Sequence, residues 1–444
     1  MNGWRFPALA GTGLALLALT GWGLAAQRQH DTHAFVAIAL AQGAAYLLAI
    51  GLAWRCPRPW RAAALILGVA AAMRIAVIAS PPYLSSDVYR YVWDGRVIAA
   101  GVNPYRYVPA DPHLAALRDP AVYPNINRAN YARTIYPPAA EAIFFAVTRI
   151  SGSPAAIKAA MVAFEAIAVV LLLRLLALSG LPPTRIAIYA WHPLPLWECA
   201  GSGHIDAAVV MLVALALWSR RRWPRSSFAG LALAGAALVK FYPAVILPAL
   251  WQRRDWRMPA VFAVAIILAY LPFAGVGWRV LGFLPHYLVE EGLTGRGSGF
   301  YLWGVATSVL PRAGLSANAY LAAAAALLVA LAGFVALRRP MPDGDIRGAA
   351  LLAGAFTLLL SPHYPWYFAW LVVFACLLPS AALVWLTLAS FLLYLVPVWP
   401  QLMRGRSWLV VQSALYLPFL LLAAGELWCR RRKGEALYGE RAAG

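Results

Sequence analysis

The chain has 444 residues, a formal net charge of +20 and a mean hydropathy of +0.68. Of its residues, 62% are hydrophobic and only 12% are charged, whereas soluble proteins carry about 25% charged residues. Apolar blocks long enough to cross a bilayer, which takes roughly 20 residues, recur from end to end. The composition excludes an ordinary soluble protein and predicts an all-α polytopic membrane protein.

The positive charge is concentrated in short segments between apolar blocks, at residues 55–61, 220–225, 253–257 and 430–433. This is the positive-inside pattern of cytoplasmic loops. The charge therefore indicates topology and not a nucleic-acid partner. The four cysteines are scattered along the chain, which predicts neither a disulfide framework nor a zinc site.

The first three spans are predicted at residues 7–26, 34–53 and 62–79. The arginines at 55–61 place the second connection in the cytoplasm, so the third span leads outward. Residues 80–134 then form a large first extracytoplasmic loop, the longest polar segment of the chain. Residues 136–150 and 300–310 are too short to span, and we expect helices that lie along the outer membrane face or dip into it.

Later spans are oriented in the same way. The arginines at 220–222 direct the span 205–219 inward, so the preceding GSGH motif faces outward. Residues 227–251 have arginines on both flanks, which favours two half-helices with Lys240 and Pro243 at an outer turn. Spans at 380–397 and 407–428 then place SPHYPWYFAW, residues 361–370, at the outer surface. Both termini are predicted in the cytoplasm, and the count is roughly 12–14 spans in a single domain over 1–444.

The most unusual stretch is SSDVYRYVWDGRVIAAGVNPY, residues 85–105, where charged and aromatic side chains follow directly after an apolar span. In a helix, Asp87, Arg90, Tyr91 and Asp94 lie on one face, and Arg90 can pair with either aspartate. The structural interpretation is a surface helix with exposed ion pairs, which contribute little to stability. The functional interpretation is an ionised carboxylate beside a cation at the mouth of a membrane cavity.

Other polar residues are predicted on the same side of the membrane. Glu198, His204 and Asp206 fall at the outer ends of two spans, where ionisable residues are costly and usually functional. Helix-end solvation is the structural alternative for the two carboxylates. Lys240 suits a phosphate ligand, with snorkelling to lipid headgroups as the alternative. His363 lies in an aromatic cluster typical of a membrane interface, where a histidine is less expected.

In their order along the chain, SSDVYRYVWDGRVIAAGVNPYRY, YPP, AWHPLPLWECAGSGHIDA, KFYPAVILP and SPHYPWYFAW resemble the motifs of GT-C membrane glycosyltransferases. The resemblance covers most of residues 60–400 and is strongest to glycosyltransferase family 87 and related polyprenol-phosphate-mannose-dependent mannosyltransferases of bacteria. It implies a GT-C fold in the bacterial inner membrane. It also implies transfer of a sugar, most commonly mannose, from a polyprenyl-phosphate donor on the extracytoplasmic side. In such enzymes an aspartate of the first large extracytoplasmic loop is catalytic, and Asp87 matches that position.

The chemistry of these residues agrees with that implication. An inverting transfer from a phosphate leaving group needs one carboxylate base, for which Asp87 is the candidate. Cations would stabilise the leaving phosphate, so the chemistry requires no metal or other cofactor, although it leaves room for a divalent metal. The predicted substrate-binding residues are Arg90, Tyr91, Asp94, Arg96, Glu198, His204, Asp206, Lys240, His363 and Tyr364. The acceptor would be a glycan, a glycolipid or a protein.

Two other functions are compatible with a polytopic chain. A transporter or lipid flippase would show paired repeats with broken helices in both halves and charges near the membrane midplane. The sequence shows no such repeats, and its unusual charges collect at one face. A scaffold subunit of an envelope complex would not need the convergent polar residues.

Overall fold

A computed structural model describes residues 4–290, 299–311, 314–338, 343–398 and 406–432. In this part of the chain the secondary structure is helical, with no strand. Seven helical stretches are long and apolar enough to cross a membrane: Arg5–Arg28, Thr32–Ala53, Pro59–Ile78, Pro154–Leu178, Arg257–Glu290, Ala317–Leu337 and Trp408–Arg432. The predicted class is confirmed, and the chain is a multi-pass membrane protein.

The first three spans are α1 (Arg5–Arg28), α2 (Thr32–Ala53) and α3 (Pro59–Ile78), close to the predicted positions. The Asp31 carboxylate caps α2 by accepting a hydrogen bond from the Ala34 backbone N–H at 2.8 Å, which satisfies an otherwise unpaired donor. At the other end, α3 begins with Pro59, whose fixed φ suits the first turn of a helix.

Two shorter helices follow, α4 (Asp87–Ala99) and α5 (Pro138–Ile150), with 3-10 turns at Pro112–Leu117 and Tyr123–Asn125 between them. The short helix predicted at 136–150 is therefore confirmed. The two helices cross closely at Gly95, where a Cβ would clash with the carbonyl oxygen of Phe144. Because glycine lacks that atom, α4 lies directly on α5.

The end of α3 is held by α6 (Pro154–Leu178). Lys158 is buried and donates from Nζ to the carbonyl oxygens of Val77 and Ser80, both at 2.6 Å. A cation at the last carbonyls of a helix is electrostatically favourable. Arg74 of α3 also pairs with Glu165 of α6 at 2.7 Å. These contacts fix the point from which the chain enters the segment that contains Asp87.

The centre of the molecule is residues 184–210, all of which are buried. This stretch is irregular, since it contains two prolines that cannot donate a helical hydrogen bond. A 3-10 turn at Pro183–Ile186 leads into α7 (Ala187–Ala190) and α8 (Pro193–Pro195), and a π-helical turn at Leu196–Gly201 precedes α9 (Asp206–Arg222). Short π-helical turns are rare in proteins, and those that occur are often found at functional sites.

The region after α9 confirms the predicted break at Lys240. Helix α10 (Phe228–Val239) ends there, and Lys240 has extended backbone angles of φ −147° and ψ 141°. The chain returns through a 3-10 turn at Tyr242–Ile246 and α11 (Leu247–Leu250). The apolar stretch that follows comprises α12 (Arg257–Tyr270), a 3-10 segment at Leu271–Leu281 and α13 (Leu284–Glu290).

In the described part of the C-terminal half, seven further helices follow, together with 3-10 turns. The helices are α14 (Tyr301–Val309), α15 (Ala317–Leu337), α16 (Gly344–Leu360), α17 (Leu371–Leu377), α18 (Ala381–Ala389), α19 (Leu395–Val398) and α20 (Arg406–Arg432). The turns are Pro365–Phe368 and Ser390–Tyr394.

The length criterion gives seven long spans among the described residues, where the sequence predicts roughly 12–14 spans. Three further apolar helical stretches, Phe228–Val239, Pro365–Leu377 and Ala381–Tyr394, are shorter. The difference has a physical reason. Prolines, the π-helical turn and 3-10 turns divide several predicted spans into pieces too short to cross a bilayer as one helix.

Helices α3, α9 and α20 each have an arginine cluster at one end and residues of the predicted outer side at the other. Helix α3 begins next to Arg58 and ends near Ser80, and α9 begins at Asp206 and ends at the arginines 220–222. Helix α20 starts beside His363, whose ring contacts Trp408, and ends at the arginines 430–432. We call the side that carries these clusters the arginine-rich end. Lys433 and the chain termini, residues 1–3 and 433–444, lie outside the described residues.

Candidate active site

A cavity of about 500 Å³ lies at the end of the molecule opposite the arginine-rich end. This volume is typical of small-molecule sites, about 300–1,000 Å³. Its wall comes from the start of α4, the loop before α5, the turn after α10, α13, and the segment after α16. Of the predicted site residues, Asp87, Arg90, Lys240, His363 and Tyr364 line it. Residues far apart in the sequence therefore converge on one space.

Asp87 occupies the first turn of α4, where an anion is favourable. Its Oδ1 accepts a hydrogen bond from Asn127 Nδ2 at 2.9 Å, and the Tyr136 hydroxyl lies 3.4 Å from Oδ2. The Asp87 side chain is 20% exposed, whereas the neighbouring His204 has no exposed surface. These neighbours orient the Asp87 carboxylate without covering it, so a substrate in the cavity can reach it.

His204 lies behind Asp87, in the turn at residues 202–205 between the π-helical turn and α9. Gly203, at φ +78°, makes this turn, and a Cβ there would lie 3.1 Å from Lys158 Cγ. His204 Nδ1 is 3.9 Å from Asp87 Oδ2, and Nε2 is 3.5 Å from Glu198 Oε2. Burial lowers the pKa of His204, and the charge of Lys240 lowers it further, so the imidazole is neutral.

Glu198 belongs to the π-helical turn and has no exposed surface. The hydroxyl of Tyr394 lies 2.8 Å from its Oε1 and 2.9 Å from its Oε2. Glu198 does not line the cavity. It reaches the site only through His204.

Lys240 and Asp206 form a buried ion pair at the cavity wall. Lys240 Nζ lies 2.7 Å from Asp206 Oδ2, with the two side chains 11% and 0% exposed. The Tyr242 hydroxyl donates to Asp206 Oδ1 at 2.8 Å, and Lys240 Nζ also lies 4.6 Å from the centre of the Tyr367 ring. A lysine has three N–H donors, so Lys240 keeps donors for a ligand after binding Asp206.

Three arginines add to the positive charge of the cavity. Arg90 donates from Nε to Asp94 at 2.8 Å, so it pairs with Asp94 and not with Asp87. Arg128 pairs with Glu290 at 2.6 Å. Arg133 donates from Nε to the carbonyl oxygen of Arg106 at 3.2 Å, and it forms no ion pair within the described part of the chain.

Stacked aromatic rings form the wall between the cavity and His204. Tyr364 stacks on Trp366 with ring centres 4.6 Å apart, and Trp366 stacks on His204 at 4.0 Å. His363 also lines the cavity, and its Nε2 lies 3.2 Å from the carbonyl oxygen of Gly299. Faces of this kind suit sugar rings and apolar chains.

Within the described ranges, no three His, Cys, Asp or Glu side chains are grouped so as to hold a metal ion.

Comparison with known proteins adds a family to this geometry. Residues 134–362, just over half of the chain, match the family model described as Glycosyltransferase family 87. The chain belongs to glycosyltransferase family 87. It is therefore a GT-C-type membrane glycosyltransferase, an enzyme that uses a sugar donor and an acceptor. Searches of curated proteins and of solved structures gave no match.

The family 87 match covers part of the site. It contains Glu198, His204, Asp206 and Lys240, whereas Asp87 precedes it. The matched region therefore includes Lys240 on the cavity wall and the three residues behind it. Asp87 is instead marked by its position on the cavity wall and by its match to the catalytic aspartate of similar enzymes.

Six of the predicted residues of this glycosyltransferase do not line the cavity. Glu198, His204 and Asp206 lie behind its wall, and the other three belong to α4. Tyr91 is buried and stacks on Phe144 at 4.4 Å. Asp94 is buried in its ion pair with Arg90. Arg96 pairs with Asp119 and donates to the Gly152 carbonyl oxygen at 2.9 Å. Their positions support the fold of α4 and leave Asp87 as the α4 carboxylate that faces the cavity.

Three cavity residues of this glycosyltransferase, and one buried glutamate outside the cavity, were not predicted from the sequence. Asn127, Arg133 and Tyr136 lie in the irregular loop before α5, where no periodicity marks them. Glu141 of α5 is buried and accepts a hydrogen bond from Thr134 Oγ1 at 2.5 Å. Burial raises the pKa of Glu141. A glutamate within the apolar run AAEAIFF was the available signal for this residue.

Proposed function

We propose that this family 87 enzyme transfers a sugar, with mannose the first candidate, from a polyprenyl-phosphate donor to an acceptor hydroxyl. The transfer takes place on the extracytoplasmic side of the membrane and inverts the configuration at C1. The observation that carries the proposal is Asp87, oriented and accessible on the wall of a cavity that combines cations with apolar and aromatic side chains.

Asp87 is the proposed general base. Its hydrogen-bond partners are neutral side chains, Asn127 and Tyr136, and its carboxylate lines the cavity. In the transfer, the acceptor hydroxyl attacks C1 of the sugar while Asp87 takes its proton. The bond between C1 and the phosphate oxygen breaks, and its electron pair leaves with the phosphate.

The leaving phosphate needs positive charge, which Lys240, Arg90 and Arg133 would supply. Arg133 is the most available of these, because its guanidinium has no carboxylate partner among the described residues. Lys240 is held in place by Asp206 and contributes its remaining donors. Arg96, also a candidate from the sequence, is directed away from the cavity by its pair with Asp119.

A lipid-linked donor also needs an apolar path. One wall of the cavity is apolar, with Phe241, Phe283, Leu284, Leu288, Phe356 and Leu360. Phe241 is 42% exposed, and the most apolar 18-residue window of the stretch Arg257–Glu290, which includes α13, has no residue buried within the protein. These two exposed apolar features at the cavity wall support the entry of a polyprenyl chain from the bilayer.

The proposed side of the membrane follows from the arginine clusters. The positive-inside rule assigns the arginine-rich end to the cytoplasm, and the cavity lies at the other end of α3 and α9. An extracytoplasmic site has no access to cytosolic nucleotide sugars, which favours a lipid-borne donor.

A donor panel tests the proposal. Purified enzyme would be given mannose, glucose and arabinose linked to polyprenyl phosphate, and the corresponding nucleotide sugars, with membrane extract as the source of acceptor. We expect transfer from at least one polyprenyl-phosphate sugar and none from the nucleotide sugars. Transfer from a nucleotide sugar alone would contradict the proposal. Movement of the intact lipid across a vesicle membrane without transfer would favour a flippase.

A further inference from the structure

His204 lies between two carboxyl groups and has no exposed surface. Nδ1 faces Asp87 at 3.9 Å, Nε2 faces Glu198 at 3.5 Å, and neither ring nitrogen makes a hydrogen bond in the described structure. Buried polar atoms are nearly always paired, so two unpaired ring nitrogens behind a cavity wall need an explanation. The stack on Trp366 fixes the plane of the ring, so small movements along that plane bring both nitrogens within hydrogen-bond distance.

The surrounding charges decide which groups carry protons. Glu198 is fully buried, its hydrogen-bond partner is the neutral Tyr394 hydroxyl, and the charge that acts on it is that of the anion Asp206. A buried carboxyl without a cation beside it is favoured in its neutral form. Lys240 is the cation that acts on His204, and it disfavours a charged imidazole. Asp87, which is partly exposed, can carry the negative charge.

We propose that Glu198, His204 and Asp87 form a buried hydrogen-bonded chain that positions the general base. The protonated carboxyl of Glu198 donates to His204 Nε2, which fixes the imidazole tautomer with its proton on Nδ1. Nδ1–H then donates to Asp87 Oδ2, while Asn127 holds Oδ1. His204 and Glu198 are thus positioning residues that act through Asp87, and the assignment rests on the proposed function.

The chain predicts a specific response to pH. As pH rises, Glu198 loses its proton and accepts the hydrogen bond from Nε2–H, so the lone pair of Nδ1 turns toward Asp87. The lone pair of His204 Nδ1 then repels Asp87 Oδ2, and the Asp87 carboxylate loses its orientation. We expect kcat to fall on the alkaline side, with little change in KM for the donor, because Glu198 and His204 have no exposed surface and do not line the cavity.

Two substitutions test this mechanism. Glu198→Gln imitates the neutral carboxyl, since its amide can donate to Nε2 and accept from Tyr394. We expect near wild-type kcat at neutral pH and loss of the alkaline fall. His204→Phe keeps the ring stack on Trp366 and removes both nitrogens, so kcat should fall about 10²-fold, as for a misplaced catalytic group. His192→Phe is the matched control, because His192 is equally buried but bonds Thr387, and its pH profile should be that of wild type.

The outcomes separate this inference from the proposed function. An alkaline fall in Glu198→Gln identical to wild type would overturn the chain, as would a wild-type kcat in His204→Phe. If His204→Phe does not fold, the profile of the isosteric Glu198→Gln still decides. If Asp87→Asn keeps full transfer activity, the proposed base itself is wrong. If Asp87→Asn is inactive and the pH profile of kcat in Glu198→Gln is that of wild type, the hydrogen-bonded chain is refuted and the proposed base is not.

Discussion

Lys240→Met tests whether the lysine at the cavity wall binds the donor or only supports the fold. Lys240 Nζ lies 2.7 Å from Asp206 Oδ2, and the Asp206 side chain has no exposed surface. In the variant, Asp206 keeps the hydrogen bond from Tyr242 and loses its counter-charge. Removing one partner of a buried ion pair typically costs about 3–5 kcal/mol of folding stability. The single variant is therefore expected to be less stable whatever its effect on the donor.

The contribution to donor binding is estimated separately. A hydrogen bond to a charged group contributes about 1.5–3 kcal/mol. If Lys240 binds the donor phosphate, donor affinity falls roughly ten- to a hundred-fold. The double variant Lys240→Met/Asp206→Asn removes both charges, so it should recover much of the stability while donor affinity stays low. Lys240→Arg keeps the charge with a different shape and should rescue binding in part.

Two measurements in detergent complete this test: thermal unfolding, and binding of a radiolabelled polyprenyl-phosphate sugar. Arg221→Met is the matched control, since Arg221 pairs with Asp345 at 2.9 Å at the arginine-rich end. It should lose stability and keep wild-type donor affinity. Wild-type affinity in the double variant would refute the assignment of Lys240 to the phosphate and leave Arg90 and Arg133 as the candidates.

Three further predictions concern the membrane topology, Arg133 of the cavity and the buried Glu141. In intact cells, an impermeant maleimide should label Asn130→Cys, which is exposed near the cavity. It should label the exposed Cys429 only after permeabilisation, and the reverse pattern would contradict the topology. Arg133→Met should weaken donor binding roughly ten-fold or more, whereas the exposed Arg106→Met should bind as wild type does. Because its pKa is raised by burial, Glu141 stabilises the fold in its neutral form. That contribution is lost as pH rises through the raised pKa, and thermal unfolding should show no such loss in Glu141→Gln.

Much of the framework could be predicted from the sequence. The positions of α1, α2 and α3 follow from apolar length, and the break at Lys240 follows from the arginines on both flanks of 227–251. The convergence of Asp87, Lys240 and His363 on one cavity follows from assigning each to the same side of the membrane. These predictions succeed because bilayer thickness and loop charge constrain a membrane chain strongly.

Other features could not be predicted because they depend on long-range packing. Arg90 is spaced equally well for pairing with Asp87 or Asp94, and its choice of Asp94 depends on the loop that supplies the Ala132 carbonyl. Glu198 bonds a tyrosine 196 residues away, Tyr394. The loop that brings Asn127 to Asp87 has no hydrophobic period. In such places the partner is set by tertiary structure and not by local pattern.

A single-turnover measurement tests whether Asp87 is the base in transfer from a lipid-linked sugar. Wild type and Asp87→Asn would be preloaded with a labelled polyprenyl-phosphate sugar, and transfer would be followed after addition of acceptor. We expect equal donor binding and transfer about 10²–10⁴-fold slower in Asp87→Asn. Asp111→Asn, in the same loop but outside the cavity, should transfer as wild type does. Transfer by Asp87→Asn within a factor of a few of wild type would show that Asp87 is not the base.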